Sequence, residues 1–178
     1  MSMKNETKKI MAVTAIVLLL AASRLLKHPY NFTPITAMSI FAGCYLRKHW
    51  GLIFPLGGMF VSDYFIGFYD WKLMAAVYAG IGISFYVGWY LRNKIRWYRV
   101  ILAALISSIV FFVISNFAVW FFYEWYPHTF SGLVQCFVLA LPFFRNSLSG
   151  DLVYTGAIFG AYEFIFRKIK QRALLKAA

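Results

Sequence analysis

The chain has 178 residues, of which 62% are hydrophobic, 21% aromatic and only 13% charged, with a net charge of +12 and a mean hydropathy of +0.67. A soluble domain carries about 25% charged residues, so this composition excludes one and points to a single integral membrane domain. The net charge is not a nucleic-acid footprint, because the cations flank long apolar runs, where topology and anionic lipid headgroups account for them.

The apolar runs predict six spans at about 10–23, 33–46, 51–69, 73–91, 99–122 and 148–166. The expected fold class is an all-α six-helix membrane bundle in one domain, 1–178. The first run has a basic start and ends in Ala21-Ala22-Ser23, which looks like a signal cleavage site. It is read as a retained helix, with a cleaved signal as the alternative. The second run is short, so it is expected to be tilted or partly re-entrant. Asn31-Phe32-Thr33-Pro34 starts it, with Asn31 or Thr33 able to cap and Pro34 tolerated in the first turn.

Between the fifth and sixth runs, 123–147 contains an apolar half, Leu133 to Leu141, followed by Pro142. This segment is expected to lie on the surface or dip into it, as a lid over one end of the bundle.

Lys and Arg concentrate in alternate gaps. Fourteen of the eighteen lie at the N-terminus, at Arg47 and Lys48, at Arg92, Lys94, Arg96 and Arg99, or in the tail from Arg167. Arg24, Lys27, Lys72 and Arg145 are alone on the other side. The charge bias predicts both termini inside, in a bacterial inner membrane. Trp50, Trp89 and Trp97 then mark the inner boundary, and Trp71, Trp120 and Trp125 the outer one.

An ionisable group at membrane depth costs at least about 2.5–3.5 kcal/mol on insertion scales, so each needs a partner or a task. In this topology Asp63 and Tyr64, Asn116 and Trp120, Arg145 and Asn146, Asp151 and Tyr154, together with Asn31, converge near the outer face. The set reads as a ligand-binding site with aromatic walls, or as an Asp63–Arg145 or Asp151–Arg145 tie between helices. The inner half is apolar apart from Glu163, for which Arg167 is an i,i+4 neighbour. No continuous polar path is apparent, which argues against a channel.

Small residues at Ala76 and Gly80, and at Gly156 and Gly160 beside Ala157 and Ala161, mark close helix packing or a subunit contact.

Catalytic readings fail. Ser149-Gly150-Asp151 faintly resembles the Gly-x-Gly-Asp motif of intramembrane aspartyl proteases, but Leu148 replaces the first glycine and Asp70 lies in a gap. His28, His49 and His128 are scattered and form no metal pair, and no zinc spacing exists. Cys44 and Cys136 fall on opposite sides and cannot pair. No nucleotide-binding fingerprint is present. No catalytic residue, metal or cofactor is expected.

Asn31-Phe32-Thr33-Pro34-Ile35, Phe41-Ala42-Gly43, Ser62-Asp63, Asn116-Phe117-Ala118-Val119-Trp120, Ala140-Leu141-Pro142-Phe143-Phe144-Arg145-Asn146 and Gly150-Asp151 resemble an uncharacterised family of bacterial membrane proteins described as transport proteins, over about 24–160. More distantly, the chain is similar to the substrate-binding subunits of energy-coupling-factor transporters. That resemblance implies capture of a small, vitamin-like ligand at an outer site, with a transmembrane coupling subunit and ATPases supplied by other chains. The Ala-x-x-x-Ala docking pattern of those subunits is not met, since Ile16 follows Ala12 and Leu19 follows Ala15 at that spacing. The alternative is a small structural or accessory subunit of a larger complex. Membrane lipid is a partner on either reading.

Overall fold

The computed structural model describes residues 3–24, 31–46 and 49–175, with side chains over 10–24, 31–46 and 51–165. Six α-helices make up the described residues, with no strand among them: α1 (Met3–Ser23), α2 (Ile35–Tyr45), α3 (Ile53–Ile66), α4 (Trp71–Leu91), α5 (Trp97–Phe122) and α6 (Phe130–Leu175), plus one 3-10 turn at His49–Leu52. Two of them, α4 and α5, are long and apolar enough to cross a bilayer, whereas 10–23, α2 and α3 are shorter apolar helices.

Neighbouring contacts give an up-and-down order. Ala21 of α1 meets Gly58 of α3, and Arg24 meets Ser62 and Asp63, so these two run parallel. Helices α2 and α4 also run together, Ile35 clustering with Ile81 near one end and the Cys44 thiol donating to the Gly88 carbonyl at 3.1 Å towards the other. Helix α5 runs against both α4 and α6, with Gly80 on Phe111 and Trp97 beside Gly160. Consequently α1 begins and α6 ends at one end of the bundle, here called the base, and the other end is the mouth.

Helix α2 is the centre. All eleven of its residues are buried, as befits a helix that is apolar all round. Its approach to α4 is backbone on backbone: a Cβ at Gly43 would overlap the Phe85 carbonyl oxygen, and one at Gly88 would overlap that of Ile40. Around it Phe41 packs edge-on against Phe159 at 5.4 Å and Tyr162 at 5.2 Å between ring centroids. An eleven-residue helix is about 16 Å long, and the 26-residue α5 is about 39 Å. The centre is therefore filled only in the base half.

Local signals explain the boundaries. Asn31 adopts φ 60°, a conformation asparagine tolerates, and α2 follows Pro34 with no side-chain cap. The capping role expected of Asn31 or Thr33 is thus not taken up. Asp70 caps α4 by accepting from the Lys72 backbone N–H at 2.9 Å. The Tyr123 hydroxyl and that same N–H hold the Asp70 carboxyl below its ordinary range.

The expected lid and last span are instead one helix. Thr129 opens α6 by accepting from the Gly132 N–H at 3.2 Å, and the helix runs through Pro142 without a break. An interior proline costs about 3 kcal/mol. Against it stands packing on α5, where Phe137 and Phe144 close on Phe112 with centroids 5.5 and 4.6 Å away. The residues expected to fold over the mouth therefore form part of its wall. The expected Glu163–Arg167 contact involves a side chain outside the described residues.

The glycine contact gives a direct test. Gly43→Ala or Gly88→Ala should lower stability by about 1–3 kcal/mol or more, because backbone cannot give way as a flexible side chain does. Gly57→Ala and Gly82→Ala, where a Cβ meets nothing within 4 Å, should be neutral or gain up to about 1 kcal/mol from helix propensity. Thermal unfolding of the four detergent-purified variants checks the order.

Candidate functional site

Above the start of α2, the mouth half of the bundle forms a partly open cavity of about 390 Å³. Helices α2 to α6 contribute to its lining, with Arg24 from just past α1: Thr36 belongs to α2, Met59 to α3, Leu73 and Val77 to α4, Ser108, Phe112 and Asn116 to α5, and Ala140, Ser147 and Asp151 to α6. Asn31, Thr33 and Tyr69 complete it from the connecting segments. The position follows from chain lengths, since five longer elements surround one that stops short.

Two charged constellations stand in or behind the wall. In the first, Arg24 Nη1 donates to Asp63 Oδ1 at 2.9 Å, contacts Met59 Sδ at 2.8 Å and bonds the Ser62 hydroxyl. The Tyr78 hydroxyl donates to Asp63 Oδ2 at 3.0 Å. Asp63 is only 1% exposed, so both carboxylate oxygens are engaged where water cannot reach, and the pair ties α1, α3 and α4 together. In the second, Asp151 is 4% exposed. Its partners are hydroxyls: Ser108 at 2.5 Å on α5 and Thr36 on α2.

The rest of the wall is phenyl and hydroxyl. Phe111, Phe112, Phe143 and Phe144 line it with Ser115, Ser147 and Asn116. Asn116 donates its amide to the Phe112 carbonyl at 2.8 Å, which fixes the side chain along its own helix.

Of the nine residues singled out in the sequence, Asn31, Asn116 and Asp151 line this cavity, and Asp63 stands directly behind Arg24. The other five do not line it. Tyr64 is 68% exposed on the outer flank of α3, stacked edge-on against Phe65. Trp120 donates its indole N–H to the Pro127 carbonyl at 3.0 Å and meets the His128 ring, so it staples the α5–α6 turn. Arg145 and Asn146 are exposed. Tyr154 packs on Phe32 with centroids 5.5 Å apart. The tie expected between Arg145 and an aspartate is replaced by Arg24–Asp63. Asp151, expected at the outer end of the last span, lies level with the middle of α5, because α6 starts eighteen residues earlier than the expected 148.

Sequence reasoning missed Arg24, Thr36, Tyr78, Ser108 and Ser115. A signal existed for α5: Ser108, Phe112, Ser115, Asn116 and Val119 recur at helical spacing on one face. Arg24 reads in the sequence as a loop cation after an apolar run.

Of the expected small-residue contacts, Gly80 takes the Phe111 ring and Gly160 lies near Trp97, whereas nothing stands within 4 Å of a Cβ at Gly156. Cys44 and Cys136 are both free and buried. Among the described residues no cluster could hold a metal ion.

Compared with known proteins, residues 4–174 match the model of DUF6580, a family of unknown function. No curated protein and no solved structure matches the chain.

Breaking the Arg24–Asp63 pair should be costly. Asp63→Asn or Arg24→Met alone leaves an uncompensated buried group and should lose about 3–5 kcal/mol, whereas Arg24→Met with Asp63→Leu should recover most of it. Denaturant unfolding of the double-mutant cycle reads the coupling; simple additivity would show that the pair is not a unit.

Proposed function

We propose that this chain, which belongs to that family, is a six-span protein of the bacterial inner membrane that captures a small molecule from outside for uptake and carries out no chemistry itself. The observation that carries this reading is the mouth cavity, which has the size and character of a small-molecule site: mostly apolar walls with a few fixed polar groups.

The membrane placement is supported by α4 and α5 and by the large apolar side chains that α3, α4, α5 and α6 expose, among them Phe65, Tyr90, Ile109 and Phe164. Helices α2 and α3 need not cross alone: α2 is surrounded by protein, where short helices and irregular backbone are tolerated. The cation-rich α4–α5 turn sits at the base, and the mouth is cation-poor, so the charge bias orients the base inward and the cavity outward.

Energy for uptake would come from other chains, a coupling subunit with ATPases, as the resemblance to energy-coupling-factor substrate-binding subunits implies. The rival, a structural or accessory subunit of a larger complex, would use the Gly156/Gly160 face, where nothing stands within 4 Å of a Cβ at Gly156 and Ala157 and Ala161 are exposed beside it. Co-purification separates the two: ATPase partners support uptake, and another assembly supports the rival.

Two measurements test the proposal. With Cys44 and Cys136 replaced by serine, a cysteine at Ser131 should react with an impermeant thiol reagent in intact cells, and one at Arg96 only after permeabilisation; the reverse pattern overturns the orientation. Mass spectrometry of molecules released from gently purified protein should find a ligand in the wild type and in Arg145→Ala. Ser115→Trp, which fills the cavity, should lose it. An empty wild type, or a ligand kept equally by Ser115→Trp, overturns capture.

A further inference from the structure

The two carboxylates near the cavity differ in one respect that bears on what it takes. Asp63 is met by Arg24 at 2.9 Å, so that pair contributes almost no net charge to the space in front of it. Asp151 is as deeply buried, yet among the described residues no cation reaches it, and its neighbours Ser108 and Thr36 are neutral hydroxyls. A carboxylate in such a place requires either a proton or a positive partner. Hydroxyls orient it but do not neutralise it.

The partner's chemistry follows from the walls. Four phenyl rings, Phe111, Phe112, Phe143 and Phe144, line the same cavity. Ring faces carry negative potential, so a cation placed among them is favoured over an anion, and flat ligands stack well on them. Among the described lining residues the one cation is Arg24, whose charge is already matched by Asp63 through Nη1, so an anion there would have to compete with that carboxylate.

Resting on the capture reading above, we infer that the cavity takes a small organic cation. It is a flat molecule whose ammonium or amidinium group bonds Asp151 and whose ring lies among the phenylalanines. Ser108 and Thr36 are positioning residues that aim the carboxylate.

The test uses three flat probes of matched size and different charge on the full-length protein in detergent: benzamidinium, benzamide and benzoate. Benzamidinium should bind at least about tenfold more tightly than benzamide, with benzoate weakest, since a buried charge pair is worth that much or more. Asp151→Asn should abolish the preference, lowering benzamidinium affinity by about tenfold while changing benzamide little. Ser108→Ala keeps the carboxylate but removes the hydroxyl that aims it, so it should narrow the benzamidinium preference by several-fold, less than Asp151→Asn does, and leave benzamide little changed.

Because the ranking is read on the unmodified protein, it stands even if Asp151→Asn fails to fold. Equal affinity for benzamidinium and benzamide would mean that Asp151 holds a proton instead, and would overturn the inference; so would no binding of any probe. The capture reading is judged separately. A neutral molecule released from the wild type but not from Ser115→Trp would keep capture and sink the cation.

Discussion

A central helix too short for its bundle is the constraint on which the rest depends. Helix α2 is buried on every side and fitted to α4 through Gly43 and Gly88 with no side chain between the backbones. That contact sets its height, because no side chain in it can repack to let α2 slide. With α2 held in the base half, the longer α4, α5 and α6 continue past it and enclose space they have nothing to fill. The cavity is thus a consequence of helix lengths, and its floor is the first turn of α2.

That geometry also decides which polar groups matter. Thr36 stands in the first turn of α2, and Ser108 and Asp151 approach it from α5 and α6. Higher up, Arg24 crosses from the end of α1 to Asp63, and Tyr78 comes in from α4. A low-dielectric surrounding strengthens each of these interactions and makes any unmatched member costly. The pair that is matched, Arg24–Asp63, serves cohesion, since it joins three helices. On the proposed reading, the carboxylate without a cation among the described residues is the one that would meet a ligand.

Much of the fold was legible because apolar runs of helical length leave little choice of structure. The runs at 73–91 and 99–122 match α4 and α5 to within two residues. The failure at α6 has a definite cause. Pro142 and Arg145 read as punctuation, since proline removes a backbone donor and an arginine is expensive at depth, but both consequences depend on surroundings that the chain alone does not display. Phe137 and Phe144 on Phe112 hold the helix together across the proline, and Arg145 points outward. The site was legible in proportion to the cost of its residues. Asp63, Asn116 and Asp151 stood out because buried polarity needs a reason. Arg24 did not, because a cation after an apolar run looks like a topological marker, and its partner lies thirty-nine positions away. Trp120 lies away from the cavity for a reason that spacing does not reveal: its indole N–H finds the Pro127 carbonyl seven residues on.

The base half explains why such a site would hold a ligand without letting it through. Below Thr36 and Asp151 the centre is plugged by aromatic packing, Phe41 against Phe159 and Tyr162, and Tyr45 against Tyr162 with centroids 4.1 Å apart. Opening a path there by rotamer changes would have to separate several interlocked rings at once, and shifting α2 would have to break the Gly43–Gly88 contact. On the proposed capture reading, a molecule held at the mouth would cross only if the bundle moved as a body relative to the bilayer, with the force applied by another chain. On that reading the architecture would supply selectivity at the mouth and a stop at mid-depth, and release would depend on whatever binds the flank of the bundle.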